Sequence, residues 1–265
     1  MTGRIVEEAL GKVKTLIPNI DSILVDQIVL GLGYTGVKLS DGHAGLCYTF
    51  QTEIAQAASH CQVSDLAGTL AGSPAIKLAE KAKSSDIKEN IIGFSVLNAL
   101  SQIVIDQNPQ RYQIVDGDII DHVTLTKTDT VVLVGYICPL VPRLRANSKK
   151  LYILERTASH RDQGILPDTA CYNILPTADV ALITGTAIAN GTIDHLLELA
   201  KNAREIAIIG ATAGILPDVL FDHGVTLVGG ARVTNADKML QIVSEGGGTP
   251  ALKSAIKFVT IKRSK

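Results

Sequence analysis

The sequence predicts an α/β protein in two parts: an N-terminal α+β domain, an antiparallel meander plus helices, packed on a C-terminal Rossmann-like parallel-sheet domain. Three observations predict it. From Thr130 on, short apolar runs (TVVLVG, LYILE, VALIT, IAIIG) alternate with helical segments, as a parallel sheet with crossover connections requires. Hydrophobic residues make up 46% of the 265 and charged residues 19%, an apolar balance explained by strands buried on both faces. Before about residue 110 the strand-like runs come first and the helices follow, an α+β order.

Ile5, Val6, Ala9, Leu10, Val13, Leu16 and Ile17 recur at helical spacing, with Glu7, Glu8, Lys12 and Lys14 between them. Pro18 and Asn19 end that helix. Ser22 to Leu30 reads as a strand, the glycines 31, 33 and 36 as a turn, Val37 to Ser40 as a return strand and Leu46 to Phe50 as a third. GLGYTG at 31–36 has dinucleotide-motif spacing, but it leads from strand to strand and reads as hairpin glycines. Ser64 is a cap for DLAGTLA. Ser73-Pro74 opens AIKLAEKAK, and Ile87 to Ile105 is a long apolar helix ended by Asn108-Pro109. Residues Gln113 to Thr130, rich in Asp and Gly, read as the joint, which divides the chain into domains 1–112 and 113–265.

In the second part, strands are expected at Thr130–Gly135, Leu151–Glu155, Val180–Thr184, Ile206–Gly210, Val225–Val228 and Phe258–Ile261. Helices fall at Pro139–Ala146, Asn190–Ala203, Leu216–Phe221 and Asn235–Ser244, with Pro167–Tyr172 as a connecting segment.

Composition excludes several function classes. A net charge of −1 offers no basic field for nucleic acid or anionic lipid. The chain has no Trp and 4% aromatics, few platforms for stacking bases. No apolar run reaches the roughly 20 residues of a bilayer span. The amphipathic first helix is unlike a secretory signal, and Cys47, Cys61, Cys138 and Cys171 form no CxxC pair, so a cytoplasmic protein with reduced thiols is expected. Base rates make a homodimer the commonest assembly.

In open α/β sheets, ligands bind beyond the carboxyl ends of the strands. Those ends here carry Gly135-Tyr136, Glu155-Arg156, Thr184-Gly185-Thr186 and Gly210-Ala211-Thr212. The expected roles are anion binding by the backbone N–H groups of Gly135, Gly185 and Gly210, and hydrogen bonds from Thr184, Thr186 and Asn190. Glu155 lies about 20 residues past Gly135, where a nucleotide-binding fold places its ribose carboxylate. The first turn, GYICPL, lacks a GxGxxG, which argues against an ordinary dinucleotide site. RTASHRDQG at 156–164 reads as a polar loop over the cleft whose Arg156 or Arg161 could clamp an anion.

The order VVLVGYICPL, LYILER, ADVALITGTAIANGT, IIGATAGILPDVLFDHGV resembles a prokaryotic family labelled a "putative heavy-metal chelation" domain. The first half resembles that family's usual partner, an enolase-N-terminal-like domain. The resemblance implies a ligand site in the cleft between the two domains. Carried over by position, it points to Gly135, Pro139, Glu155, Thr184 to Thr186, Asn190, Gly210, Thr212 and Pro217, with Asp41, Gly42, His43, Ala44 and Gly45 from the first domain.

For a protein-bound metal, His43 and Cys47 at i and i+4 would share one face of a strand, with Glu53, His60 and Cys61 following; imidazole and thiolate suit a borderline-soft divalent ion. His223, near a helix end, reads as a cap. Three functions stay open, and the sequence does not decide whether the protein is an enzyme. The first is a small-molecule-binding protein or enzyme handling a divalent metal, a metal chelate or a corrin-like or pterin-like precursor in cofactor biosynthesis. The second is an S-adenosylmethionine- or nucleotide-dependent transferase or synthase. The third is a non-catalytic metal carrier using His43, Cys47, His60 and Cys61. The first is the reading chosen.

Overall fold

The computed structural model describes residues 3–57, 65–157 and 164–263. Ser64, His60, Cys61, His160 and Arg161 lie outside them. The chain begins with helix α1 (Arg4–Leu16), whose apolar stripe Ile5, Val6, Ala9, Leu10 and Val13 is buried. Strands β1 (Val25–Leu30), β2 (Tyr34–Leu39) and β3 (Ala44–Tyr48) form a small antiparallel sheet in that order. Helices α2 (Gln51–Ala57), α3 (Ala75–Ala79) and α4 (Ile87–Gln107) follow. The segment DLAGTLA expected as helix is a turn where described, from Asp65 on, and Gly68 within it and Gly72 just after it explain why.

Helix α4 is the axle of the molecule. Every residue from Asn90 to Ser101 is buried, as a helix that is apolar all round demands. Asp86 caps it, its carboxylate accepting from the N–H groups of Lys88 and Glu89. Gly45 of β3 lies against its backbone: a Cβ there would stand 2.5 Å from Ala99 N.

The remaining strands are β4 (Tyr112–Asp116), β5 (Thr130–Val134), β6 (Lys150–Glu155), β7 (Leu166–Pro167), β8 (Val180–Thr184), β9 (Glu205–Ile209), β10 (Leu227–Val233) and β11 (Ile256–Arg263). They form an eight-stranded sheet in the order β4-β11-β10-β9-β8-β5-β6-β7. Strands from β10 to β7 pair in parallel, and β11 pairs antiparallel with both β10 and β4. Helices α5 (Val141–Ala146), α6 (Cys171–Ile174), α7 (Thr186–Ala189), α8 (Ile193–Ala200), α9 (Pro217–Asp222), α10 (Ala236–Ser244) and α11 (Thr249–Leu252) connect them. The protein is thus mixed α/β, with a small antiparallel sheet and a larger, mostly parallel one. Among the described residues no helix is long and apolar enough to cross a membrane.

Three details differ from the sequence reading. The start of the expected joint is strand β4, whose partner β11 lies far along the chain. The helix expected over 190–203 is the shorter α8, set apart from the preceding α7 by a turn in which Gly191 adopts φ +75°. The final strand, β11, enters the sheet antiparallel, between β4 and β10. One apolar core runs through both parts of the chain, uniting Ile5, Phe94 and Leu97 with Val132, Ile183 and Leu216.

At the amino ends of the parallel strands, Asp129 is 3% exposed and receives both Nη groups of Arg204, each at 2.7 Å, and Thr126 N–H at 2.6 Å. The Arg204 hydrogen bonds outweigh burial and hold the carboxyl down at about 2. A depressed carboxyl stabilises the fold above its unfolded pKa of 3.8 and loses that contribution as pH falls toward about 2. Urea midpoints measured across that window are expected to fall more steeply in the wild type than in Asp129→Asn. Parallel curves would show that the pair contributes nothing to the acid limb.

Candidate functional site

Strand β5 is the point where the parallel sheet reverses direction of growth: β6 and β7 lie to one side, β8, β9 and β10 to the other. Chain connections leave β5 and β8 in opposite senses there, the place at which open α/β sheets bind ligands. Gly135 and Thr184 pack against each other at these carboxyl ends. Gly135 has φ +90°, and a Cβ on it would stand 2.8 Å from Thr184 Cγ2, so only glycine serves. Gly185 is pressed against Ala213, whose N would lie 2.7 Å from an added Cβ.

The structure brings most of the sequence candidates together but changes their roles. The N–H groups expected to bind anions are spent in the sheet: Gly135 donates to Leu154 O (2.8 Å), Gly185 to Ile209 O (2.7 Å) and Gly210 to Gly229 O (2.9 Å). Each glycine simply extends the ladder of its strand by one residue. Thr184 and Thr186 join their hydroxyls at 3.0 Å. Asn190 Oδ1 accepts from the N–H and hydroxyl of Thr192, at 3.2 and 2.7 Å, and so closes the turn between α7 and α8. Glu155 does not project as a lone ribose ligand. Its Oε2 accepts from Tyr136 N–H and its Oε1 from Thr157 N–H, both at 2.8 Å, tying two strand-end loops together. Pro139 lies exposed in the 3-10 turn before α5, and Pro217 opens α9.

The first half reaches this region through the end of β3. Thr212, 2% exposed, accepts from Tyr48 N–H at 3.0 Å. Asn98 of α4, 4% exposed, donates through Nδ2 to Leu46 O (2.7 Å) and Thr212 O (3.3 Å). Tyr48 stacks edge-on with Tyr34 and Phe50, with ring centroids 6.1 and 5.5 Å apart. Burial, with Glu53, Tyr34 and Glu155 nearby, raises the pKa of its phenol.

Beside this junction opens a cavity of about 410 Å³, lined from both halves of the chain. Phe50, Glu53, Lys83 and Asn90 come from the first half; Arg156 and Asn190 face them from the second. Asn90 is 7% exposed; its Nδ2 donates to Ala82 O, while its Oδ1 is buried without a partner among the described residues. Arg156 is the clamp candidate of the sequence and Asn190 a ligand candidate. Lys83, Phe50 and Asn90 carried no sequence signal beyond their place near a helix start, because the contact that makes them wall residues is with a distant part of the chain.

The Asp41–His43 turn lies elsewhere, which corrects the expectation that Asp41, Gly42 and His43 line the cleft. His43 Nδ1 is 3.0 Å from Asp41 Oδ2 and its Nε2 is 3.4 Å from Asp106 Oδ2, at the opposite end of α4 from Asn90. The two helix positions are about 24 Å apart at 1.5 Å per residue.

The pair His43 and Cys47 does not fit a shared metal. Four residues of extended strand separate their Cα atoms by about 13 Å, whereas metal bonds to imidazole and thiolate are roughly 2 Å long. Both imidazole nitrogens already face carboxylates. Cys47 is fully buried in the core, and burial pushes its thiol up to about 12, far from the thiolate that binds metals. Among the described residues no group of three or more His, Cys, Asp or Glu side chains could hold a metal ion.

Comparison with known proteins adds the following. Residues 118–262 match the family model DUF364 and residues 13–101 match DUF4213, both described as "putative heavy-metal chelation". An uncharacterized protein of Methanocaldococcus jannaschii is 30% identical over 184 residues, 68% of this chain and 69% of that protein. A DUF364-family crystal structure from Pyrococcus horikoshii is similar with a TM-score of 0.82 and 25% identity, covering 97% of this chain and 99% of that one. One from Desulfitobacterium hafniense gives 0.79 and 27%, covering 97% and 98%.

Proposed function

The chain belongs to the DUF364/DUF4213 family described as "putative heavy-metal chelation", and from that premise we propose that it binds a small molecule in the cavity shared by its two halves. The metal of the family description arrives, in this reading, inside a bound chelate rather than as a bare ion.

The cavity itself carries the proposal. Its volume of about 410 Å³ is within the range of small-ligand sites, and it opens beside the strand ends where a doubly wound sheet binds ligands. The strand order from β7 through β5 to β10 supports a Rossmann-like reading of that sheet. A chelate needs hydrogen bonds, charge and shape from the protein, which Asn90, Asn190, Lys83, Arg156 and Phe50 provide. It needs no cluster of protein ligands, in keeping with the failure of His43 and Cys47 to converge.

The test is native mass spectrometry with elemental analysis on full-length protein purified without chelators. A stoichiometric small molecule carrying metal is expected, and Asn190→Trp, which fills the cavity, is expected to lose it. Bare metal retained by Asn190→Trp would overturn the reading in favour of a carrier. A metal-free adenine-type mass would select the nucleotide-cofactor alternative, which the same strand order supports.

A further inference from the structure

We propose that the cavity selects a positively charged, N–H-bearing chelate, one whose metal is held by amine nitrogens, and that the Glu53 carboxylate reads its charge. The inference rests on the cavity reading above and names the ligand class for that site.

The cations of the lining arrive already paired. Lys83 Nζ is bound to Glu80, and Arg156 Nε lies 3.2 Å from Asp168 Oδ2. The amino end of α1, which opens there at Gly3, meets the Asp194 carboxylate, whose Oδ1 accepts from Ile5 N–H at 3.3 Å. Each positive group is thus matched by a carboxylate. Glu53 is not matched in return. It is the single carboxylate among the described lining residues, and no Lys, Arg or His among the described residues pairs with it. Low-dielectric walls concentrate the field of such a charge on whatever enters the cavity.

The aromatic side of the cavity points the same way. Phe50, 6% exposed, is a lining residue, and its ring meets that of Tyr48 edge-on at 5.5 Å. Burial and then the nearby charges of Glu53 and Glu155 raise the pKa of the Tyr48 phenol, so both carboxylates act on this aromatic pair. Aromatic surface beside a carboxylate favours a cation over an anion.

Asn90 supplies the hydrogen-bonding half of the argument. Its Nδ2 lies 2.9 Å from Ala82 O and 3.5 Å from Ser84 O. Both partners are carbonyls, which only accept, so the amide nitrogen must face them and Oδ1 remains as an acceptor. That oxygen is buried with no partner among the described residues. A ligand N–H brought against Asn90 removes the deficit. Amine donors are neutral: they leave the charge of the metal on the complex and present N–H groups outward. Carboxylate donors cancel that charge and offer only acceptors.

Kinetically inert cobalt(III) complexes test the charge without letting protein side chains capture the metal. Calorimetric titration of the full chain with cobalt(III)–tris(ethylenediamine), a cation ringed with N–H groups, is compared with cobalt(III)–EDTA, an anion. The cation is expected to bind and the anion not. Glu53→Gln is expected to weaken the cation about tenfold with the thermal midpoint unchanged, and Asn190→Trp to abolish its binding. Asp237→Asn, which removes an exposed carboxylate of α10, is expected to leave binding as it is. Equal weakening by Glu53→Gln and Asp237→Asn would reduce the binding to general counterion attraction and overturn the assignment. So would an anion that binds as tightly as the cation, or a cation that does not bind. The cavity reading fails separately, if the small molecule found by native mass spectrometry is retained in Asn190→Trp.

Discussion

Gly93→Ala is expected to destabilise the protein by about 3 kcal/mol, the upper end of the cost of overfilling a packed core. The sign is the informative part. In an exposed helix interior the same change stabilises by roughly 1 kcal/mol, because Gly surrenders more backbone entropy than Ala. Here Gly93 lies where α4 meets the 3-10 turn Glu80–Lys83, and a Cβ would overlap Ala82 N and stand 2.7 Å from Ala82 Cα. Backbone atoms cannot rotate aside as a side chain would, so turn and helix must separate. Gly11 of α1, with nothing within 4 Å of an added Cβ, is the control. Urea denaturation of both variants should show opposite shifts of the midpoint. Equal shifts would mean that the turn yields and that the contact is looser than it stands in the structure.

Asn98→Leu is expected to cost about 2–4 kcal/mol. Leucine keeps the branched shape of asparagine but is bulkier, so no cavity forms. The loss comes from the carbonyls of Leu46 and Thr212, both left buried without the Nδ2 donor at roughly 1–3 kcal/mol each, offset in part because leucine also removes Asn98 Oδ1, which is buried with no partner among the described residues. These carbonyls belong to opposite halves of the chain, and the same contact seats Thr212 under Tyr48 N–H. A loss below about 1 kcal/mol would indicate that water or a small backbone shift replaces the amide. Ligand binding measured on the same variant separates stability from site geometry.

Much of this fold is legible in the sequence where one local rule decides it. Strands β5, β6, β8 and β9 are continuous apolar runs, and α4 is too long and apolar to be anything but a buried helix. Strand β4 is not legible: Gln113 to Asp116 is half polar and becomes a strand only by pairing with β11. The gathering of Gly135, Glu155 and Thr184 at one edge follows from the rule for strand ends, but the fate of the glycine N–H groups depends on how far each ladder runs. Period-two alternation places His43 and Cys47 on one strand face and is silent on the distance between them. That the Asp41–His43 turn points away from the cavity is fixed by the antiparallel packing of β3 on α4, which no residue in the turn encodes. Lys83, Phe50 and Asn90 become cavity walls through contacts between distant segments, the kind of information a single sequence carries least.

The placement of β11 bears on how the molecule is made. That strand is the last described in the chain, yet it lies inside the large sheet, between β4 and β10. During synthesis β4 leaves the ribosome early and has no partner until nearly 150 further residues have emerged, a wait of roughly ten seconds or more at bacterial elongation rates. Over that interval β10, once formed, also presents a bare strand edge, the template on which nascent chains pair wrongly with one another. A holdase that shields such edges should therefore raise the yield of native protein most when translation is slow.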